Sequence, residues 1–313
     1  SGNVMNGYLR KLTEYGPLTI GSHLAARMRT KLFTSYWQTK KSPPALPYSF
    51  LGLWVTITKN HFLDVIFLDN DFHQSLPLEA THASRITDAN NAARNCFSIL
   101  GSGKRCFSAR AIPWQHDFKC TNGNQQTNWN RKPGTEHTAP FYRDIIIGSP
   151  VHLADNDYAP DIKVPWELAR LQHIFSLGCA YQNPAAPAAD RAAYAATFER
   201  HVTDWIDKNR FLYGAGWVCP MDVGIRALNL IWGTHFFHAA PSIPHSFWKQ
   251  LTTSLYQHAL YLENNWEKTL KPHNHYLANL IGYLYLARLF ESIPRFRKKL
   301  SWCWHEIIRE LNR

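Results

Sequence analysis

The chain has 313 residues, 45% of them hydrophobic and 18% charged, a balance that excludes a mostly disordered polypeptide and provides for a sizeable core. Its 34 lysines and arginines against 23 aspartates and glutamates give a formal charge of +11, a field that attracts polyanions without saying which. No apolar run reaches the roughly 18 residues a membrane span requires, and no CxxC pair supports a zinc-ribbon or thioredoxin reading.

Residues 1–45 read as basic and helical, with Leu9, Leu12, Leu24, Met28 and Leu32 at helix-like spacing until Lys40-Lys41-Ser42-Pro43-Pro44 breaks the pattern. Ser1-Gly2-Asn3 ahead of Met5 reads as a tag remnant, and no signal peptide is visible. Residues 50–57 and 62–68 are short, partly β-branched apolar runs, either strands or extended packing segments. A helix is expected over 85–100, closed by Gly101-Ser102-Gly103. Residues 102–160 are rich in Gly, Asn, Pro, Thr, Trp and His. Trp114, His116, Phe118, Trp129 and Tyr142 argue that this long loop is ordered.

From Pro165 onward amphipathic or apolar helices are expected over 165–182, 188–208, 219–238, 245–263, 275–291 and 298–312, with Pro165 and Pro220 in first turns that tolerate proline. Their short connections make neighbours antiparallel, so the hairpins stack into a bundle, a solenoid or a toroid. The 14% aromatic content, with 12 tryptophans, suits both helical cores and sugar-stacking surfaces. Cys179, Cys219 and Cys303 lie in apolar helical segments and read as buried free thiols. Cys96, Cys106 and Cys120 can pair, with the connectivity open.

Several rows of residues could carry chemistry. Trp166, Arg170 and His173 share one helix face at i, i+4 and i+7, with Glu167 beside them. A ring to stack on and a guanidinium to grip a carboxylate or sulfate suit an acidic sugar, and the alternative is an ordinary surface ion pair. Asp222, Arg226 and Asn229 repeat the spacing after Trp217, and a charge in so apolar a helix needs a partner, Asp222 being the in-helix candidate. His273-Asn274-His275-Tyr276 opens another apolar helix, where the dipole favours an anion. The His-x-His pair has no evident third ligand, and no metal or cofactor is expected. His116-Asp117 is either an acid–base pair or a structural one. Serine-hydrolase, nucleotide-binding and zinc-protease signatures are missing from the sequence.

Four segments in order change this picture: Trp114-Gln115-His116-Asp117-Phe118, then Asp161 to His173, then Trp217 to Asn229, then Asn274-His275-Tyr276-Leu277-Ala278-Asn279. Together they resemble the N-terminal domain of the heparinase II/III family of polysaccharide lyases, over roughly residues 85–313. The resemblance implies a mainly α fold, an incomplete α/α toroid of antiparallel hairpins, with residues 1–84 as a helical or extended region packed on it and 85–313 as the toroid domain. It implies β-elimination on a uronic-acid polysaccharide, with a C-terminal β-sandwich as partner domain and a bacterial periplasmic or secreted setting. Asn274 then corresponds to the group that neutralises the uronate carboxylate, and His275 to a base or substrate-orienting residue. Trp166, Glu167, Arg170, His173, Arg226 and Asn229 correspond to the cleft face, as substrate contacts or supports, and Trp114, His116 and Tyr276 join them as candidate contacts. His273 stands where relatives carry a second asparagine. The family's tyrosine and a further histidine fall beyond Arg313, so the chain by itself is expected to show little turnover; Tyr256 and Tyr276 do not occupy the tyrosine position. A non-catalytic glycan-binding module and a glycoside hydrolase toroid, the latter needing two carboxylates such as Glu167 and Asp222 across a cleft, are the alternatives. Nucleic acid has only the net charge in its favour and is not expected as a partner.

Overall fold

The structure is a computed structural model that describes residues 17–40, 42–47, 78–108, 112–119, 140–145, 161–269 and 273–313. The apolar runs at 50–57 and 62–68, Trp129 and Cys120 lie outside the described residues. The described chain is mainly helical. Helix α1 spans Pro17–Gln38 and α2 Leu78–Ala93. A short hairpin follows, β1 (Cys96–Phe97) paired antiparallel with β2 (Arg105–Cys106) in the register Cys96↔Cys106. Then come α3 (Lys163–Ala169), α4 (His173–Gln182), α5 (Ala188–Lys208), α6 (Pro220–Phe237), α7 (His245–Asn264), α8 (Asn274–Leu289) and α9 (Pro294–Leu311).

Successive helices form antiparallel hairpins, α4 with α5, α6 with α7 and α8 with α9. Helices α4, α6 and α8 make an inner row in which α6 touches both neighbours, and α5 and α7 touch in the outer row. This is the stacked arrangement of an incomplete α/α toroid. The inner helices run in the same direction: Arg170, just ahead of α4, meets Asp222 at the start of α6, while Gln182 at the end of α4 donates to Phe236 O near the end of α6. Their N-termini therefore converge at one end of the molecule. Between the rows lies a core in which Trp205, Trp217, Phe198, Phe237, Tyr261, Phe290 and Phe296 are almost fully buried. Most of the aromatic excess is thus spent on packing.

Two helical expectations need correction. The helix expected over 85–100 ends at Ala93. Asn95 turns left-handed at φ 55°, and Gly101 and Gly103 (φ 74° and 65°) shape the turn of the hairpin instead of a helix end. A Cys96–Cys106 disulfide closes this hairpin. The helix expected over 165–182 is two helices, broken at Leu171, which has φ 58° and is fully buried. The break removes intrahelical donors from the end of α3. Side chains of α6 replace them: Arg226 donates to Ala169 O at 3.3 Å and Asn229 to Arg170 O at 2.8 Å. Among the three thiols expected to be free and buried, Cys219 and Cys303 are buried, while Cys179 is only half-buried.

Candidate functional site

The N-termini of α6 and α8 lie side by side because two glycines let the helices touch. A Cβ on Gly282 would stand 2.6 Å from Gly224 Cα, and one on Gly224 would stand 2.8 Å from Ala278 O. Cys219 precedes α6 with an extended backbone, and Pro220 occupies the first turn. At α8 the His273 ring accepts the His275 N–H at 3.2 Å and caps the helix. Asn274 is thereby presented in the first turn with an exposed side chain.

Glu267, in the loop after α7, ties these ends together. Its Oε2 accepts the Met221 N–H at 2.9 Å and the Asn279 amide at 3.4 Å, its own N–H donates to Asn279 Oδ1 at 2.8 Å, and its Oε1 meets His275 Nδ1 at 3.1 Å. With Nδ1–H directed at a carboxylate, His275 keeps Nε2 as its lone-pair nitrogen; this tautomer is assigned from the hydrogen-bond network. Ligand atoms of Cys219, Glu267 and His275 all lie within 4.8 Å of one another. Burial, reinforced by Asp222 and Glu267, pushes the Cys219 thiol far up, so it is protonated at neutral pH. Glu267 was not a candidate from the sequence. Its only signal was position, eight residues before His275 in a loop without periodicity.

The other candidates divide. Trp166 donates its indole N–H to Ala215 O at 3.0 Å and keeps part of its surface exposed. Arg170 is paired with Glu167 and, at 2.5 Å, with Asp222. Burial alone would lower this guanidinium, but Asp222 and Glu167 outweigh it and leave it raised. The helix break turns His173 away from the Trp166–Arg170 face, so the expected single row does not exist. His173 Nε2 instead meets His201 Nδ1 at 3.1 Å, and His201 Nε2 meets Asn95 Oδ1 at 2.7 Å.

Arg226 is fully buried and binds neutral partners in place of the expected Asp222: His258 Nε2 at 2.9 Å, Gly216 O at 2.8 Å and Ala169 O, with its guanidinium over the Trp205 ring at 4.3 Å. Burial lowers it to about 9, still charged at neutral pH. Its partners enclose it on all sides. Trp114 is buried with its indole on Asp204 at 2.7 Å. Tyr276 is buried with its hydroxyl on Glu306 at 2.9 Å. Both therefore point away from solvent. Asp117 spends its oxygens on the backbone N–H groups of Lys119 and Asp161, at 2.9 and 2.8 Å. That pairing makes His116-Asp117 a loop anchor, and His116, half-buried, is lowered by burial.

Two cavities flank these groups. One of about 960 Å³ lies between α1, the start of α6 and the end of α7 with the loop that follows it, lined by Arg27, Lys31, Arg143, Trp266, Glu267 and Lys268 among others. A second of about 460 Å³ takes in Glu167 and His173 beside the disulfide hairpin. The structure thus joins His275 to the first cavity through Glu267, sets Glu167 and His173 at the second, and buries Arg226, Trp114 and Tyr276.

The histidines give one pH dependence. Burial lowers His173 to about 4, and burial, then His173 and Arg200, lower His201 well below its usual value. Their neutral forms belong to the fold, so this stability is complete above about pH 6.5 and is lost as pH falls toward the folded values. Urea midpoints are expected to drop between pH 7 and 5, with His173 contributing on the order of 2 kcal/mol, and to drop less in His173→Gln.

No curated protein and no solved structure matches the chain. A family model described as the heparinase II/III N-terminus matches residues 81–313. With that match spanning most of the chain, and with the stacked helical hairpins and the Asn274-His275 helix start that the match covers, the protein belongs to the heparinase II/III N-terminus family.

Proposed function

We propose that this toroid binds a uronic-acid-containing polysaccharide where the N-termini of α6 and α8 meet, and that it contributes Asn274 and His275 to β-elimination on that polymer. The observation that carries the reading is the pairing of an exposed amide, Asn274, in the first turn of α8 with an imidazole, His275, whose other nitrogen Glu267 holds. Removing the C5 proton of a uronate builds negative charge on its carboxylate, so donors must already be aimed at that group. The Asn274 amide and the positive end of α8 are such donors. Glu267 on Nδ1 orients the His275 ring and leaves Nε2 as the base that takes the proton. The cationic lining from Arg27, Lys31, Arg143 and Lys268 suits an acidic polymer in the larger cavity. The Cys96–Cys106 disulfide fits a periplasmic or secreted setting, since disulfides persist in oxidising compartments. A hydrolase reading loses support because its two candidate carboxylates, Glu167 and Asp222, both pair with Arg170.

In the complete natural polypeptide, Asn274→Ala is expected to lower turnover of its uronate polymer by about 10²–10³-fold, as for loss of one donor to a developing oxyanion. Its unfolding midpoint should be unchanged, because the side chain is exposed. Unsaturated-uronate absorbance measures this on heparosan, alginate and hyaluronan. A variant that loses affinity but no turnover would make the toroid a binding module only, and absence of the product with every uronate polymer would end the lyase reading.

A further inference from the structure

We infer that Cys219, Glu267 and His275 form a binding site for a divalent cation of the zinc class. The ligands come from three separate stretches, the residue before α6, the loop after α7 and the first turn of α8, yet their donor atoms lie within 4.8 Å of one another. Metal–ligand bonds of about 2.0–2.3 Å place neighbouring tetrahedral ligands roughly 3.3–3.8 Å apart. The 3.1 Å between Glu267 Oε1 and His275 Nδ1 is close to such an edge, and a small shift brings the Cys219 sulfur to the third corner. Glu267 is fixed from behind by Met221 and Asn279 through Oε2, which leaves Oε1 turned to the site. Metal carboxylates need this kind of outer support.

A second observation points the same way. Asp222, almost fully buried, interacts with the Cys219 thiol, and its Oδ2 has no hydrogen-bond partner among the described residues. Arg170 already pairs with Asp222 through Oδ1, and a cation in the site faces the oxygen which that pair leaves unmet. Val218 and Pro220, on either side of Cys219, line the larger cavity together with Glu267, which gives the ion a route in and a water for the fourth position. Sulfur, imidazole and a single carboxylate select zinc or cobalt over calcium or magnesium, which need oxygen ligands. Binding replaces the thiol proton with the metal and releases it to solvent, the His275 proton passes from Nδ1 to Nε2 so that Nδ1 can ligate, and no oxidation state changes. On the function proposed above, an occupied site also ties up His275 and slows elimination, but binding is measured without turnover.

Titration of the protein with Co(II) tests the site. One Co(II) per chain is expected, with cobalt–thiolate absorption that zinc removes and excess magnesium or calcium does not. Cys219→Ser should abolish the band, His275→Gln should weaken Co(II) binding by at least about tenfold, and Cys179→Ser should change neither. No band at saturating Co(II), a band that survives Cys219→Ser, or unaltered affinity in His275→Gln overturns the inference. His275 is only half-buried, so that variant folds and decides the matter even if Cys219→Ser does not.

Discussion

Arg226→Leu is expected to destabilise the protein by about 3–5 kcal/mol, the loss seen when one member of a buried charged network is removed. The apolar replacement fills part of the space but leaves His258 Nε2, Gly216 O and Ala169 O without their donor. Each is enclosed, so each carries an unmet desolvation cost. The guanidinium also leaves the ring of Trp205, and the rest of its attraction to aromatic faces goes with it. Arg226→Lys should recover little, because one ammonium cannot reach three acceptors arranged around a planar fork. Urea unfolding measures both variants. A loss under about 1 kcal/mol for Arg226→Leu would show that the network adds little beyond packing. The largest structural consequence is expected at the break between α3 and α4, where Arg226 supplies a donor that the helix itself lacks.

Gly282→Ala is expected to be the second large effect, and here the sign depends on tertiary structure. In an isolated helix the change gains about 1 kcal/mol of propensity. In α8 the new Cβ stands 2.6 Å from Gly224 Cα and 2.9 Å from Gly224 O. These are backbone atoms, so no side-chain rotation relieves the overlap and the helices must separate. Overpacking of this kind costs about 3 kcal/mol, so the net loss is roughly 2 kcal/mol. Gly224→Ala should behave alike, since its Cβ meets Ala278 O at 2.8 Å. A lower urea midpoint with an unchanged denaturant slope is the expected result. A gain in stability in either variant would mean that α6 and α8 do not touch at these glycines. Separation also moves the Cys219 and Asn274 ends apart, so on the function proposed above uronate affinity is expected to fall together with stability.

Much of the fold was legible along the chain because helices announce themselves locally. Apolar residues recur at helical spacing, Pro165 and Pro220 sit in first turns, and short connections impose antiparallel hairpins. The motif around Asn274 and His275 was equally local, and the family followed from four such segments. Where local signals misled, a distant residue had intervened. Periodicity carried a helix through 165–182, but the buried Leu171 and the side chains of Arg226 and Asn229 hold it broken. Gly101 and Gly103 resembled a helix stop, yet the Cys96–Cys106 bridge makes them a hairpin turn.

The sequence by itself determined the residue types, the helical hairpins and the family. Tertiary structure decided what the residue types do. Arg170 pairs with Asp222, 52 positions away, while Arg226 passes over its in-helix neighbour for His258. Glu267 becomes the link between two helix ends only because Gly224 and Gly282 let α6 and α8 touch. Spacing along a chain encodes which side chains share a face. Which faces are buried, and which charges then need one another, depends on contacts between segments that no local pattern records.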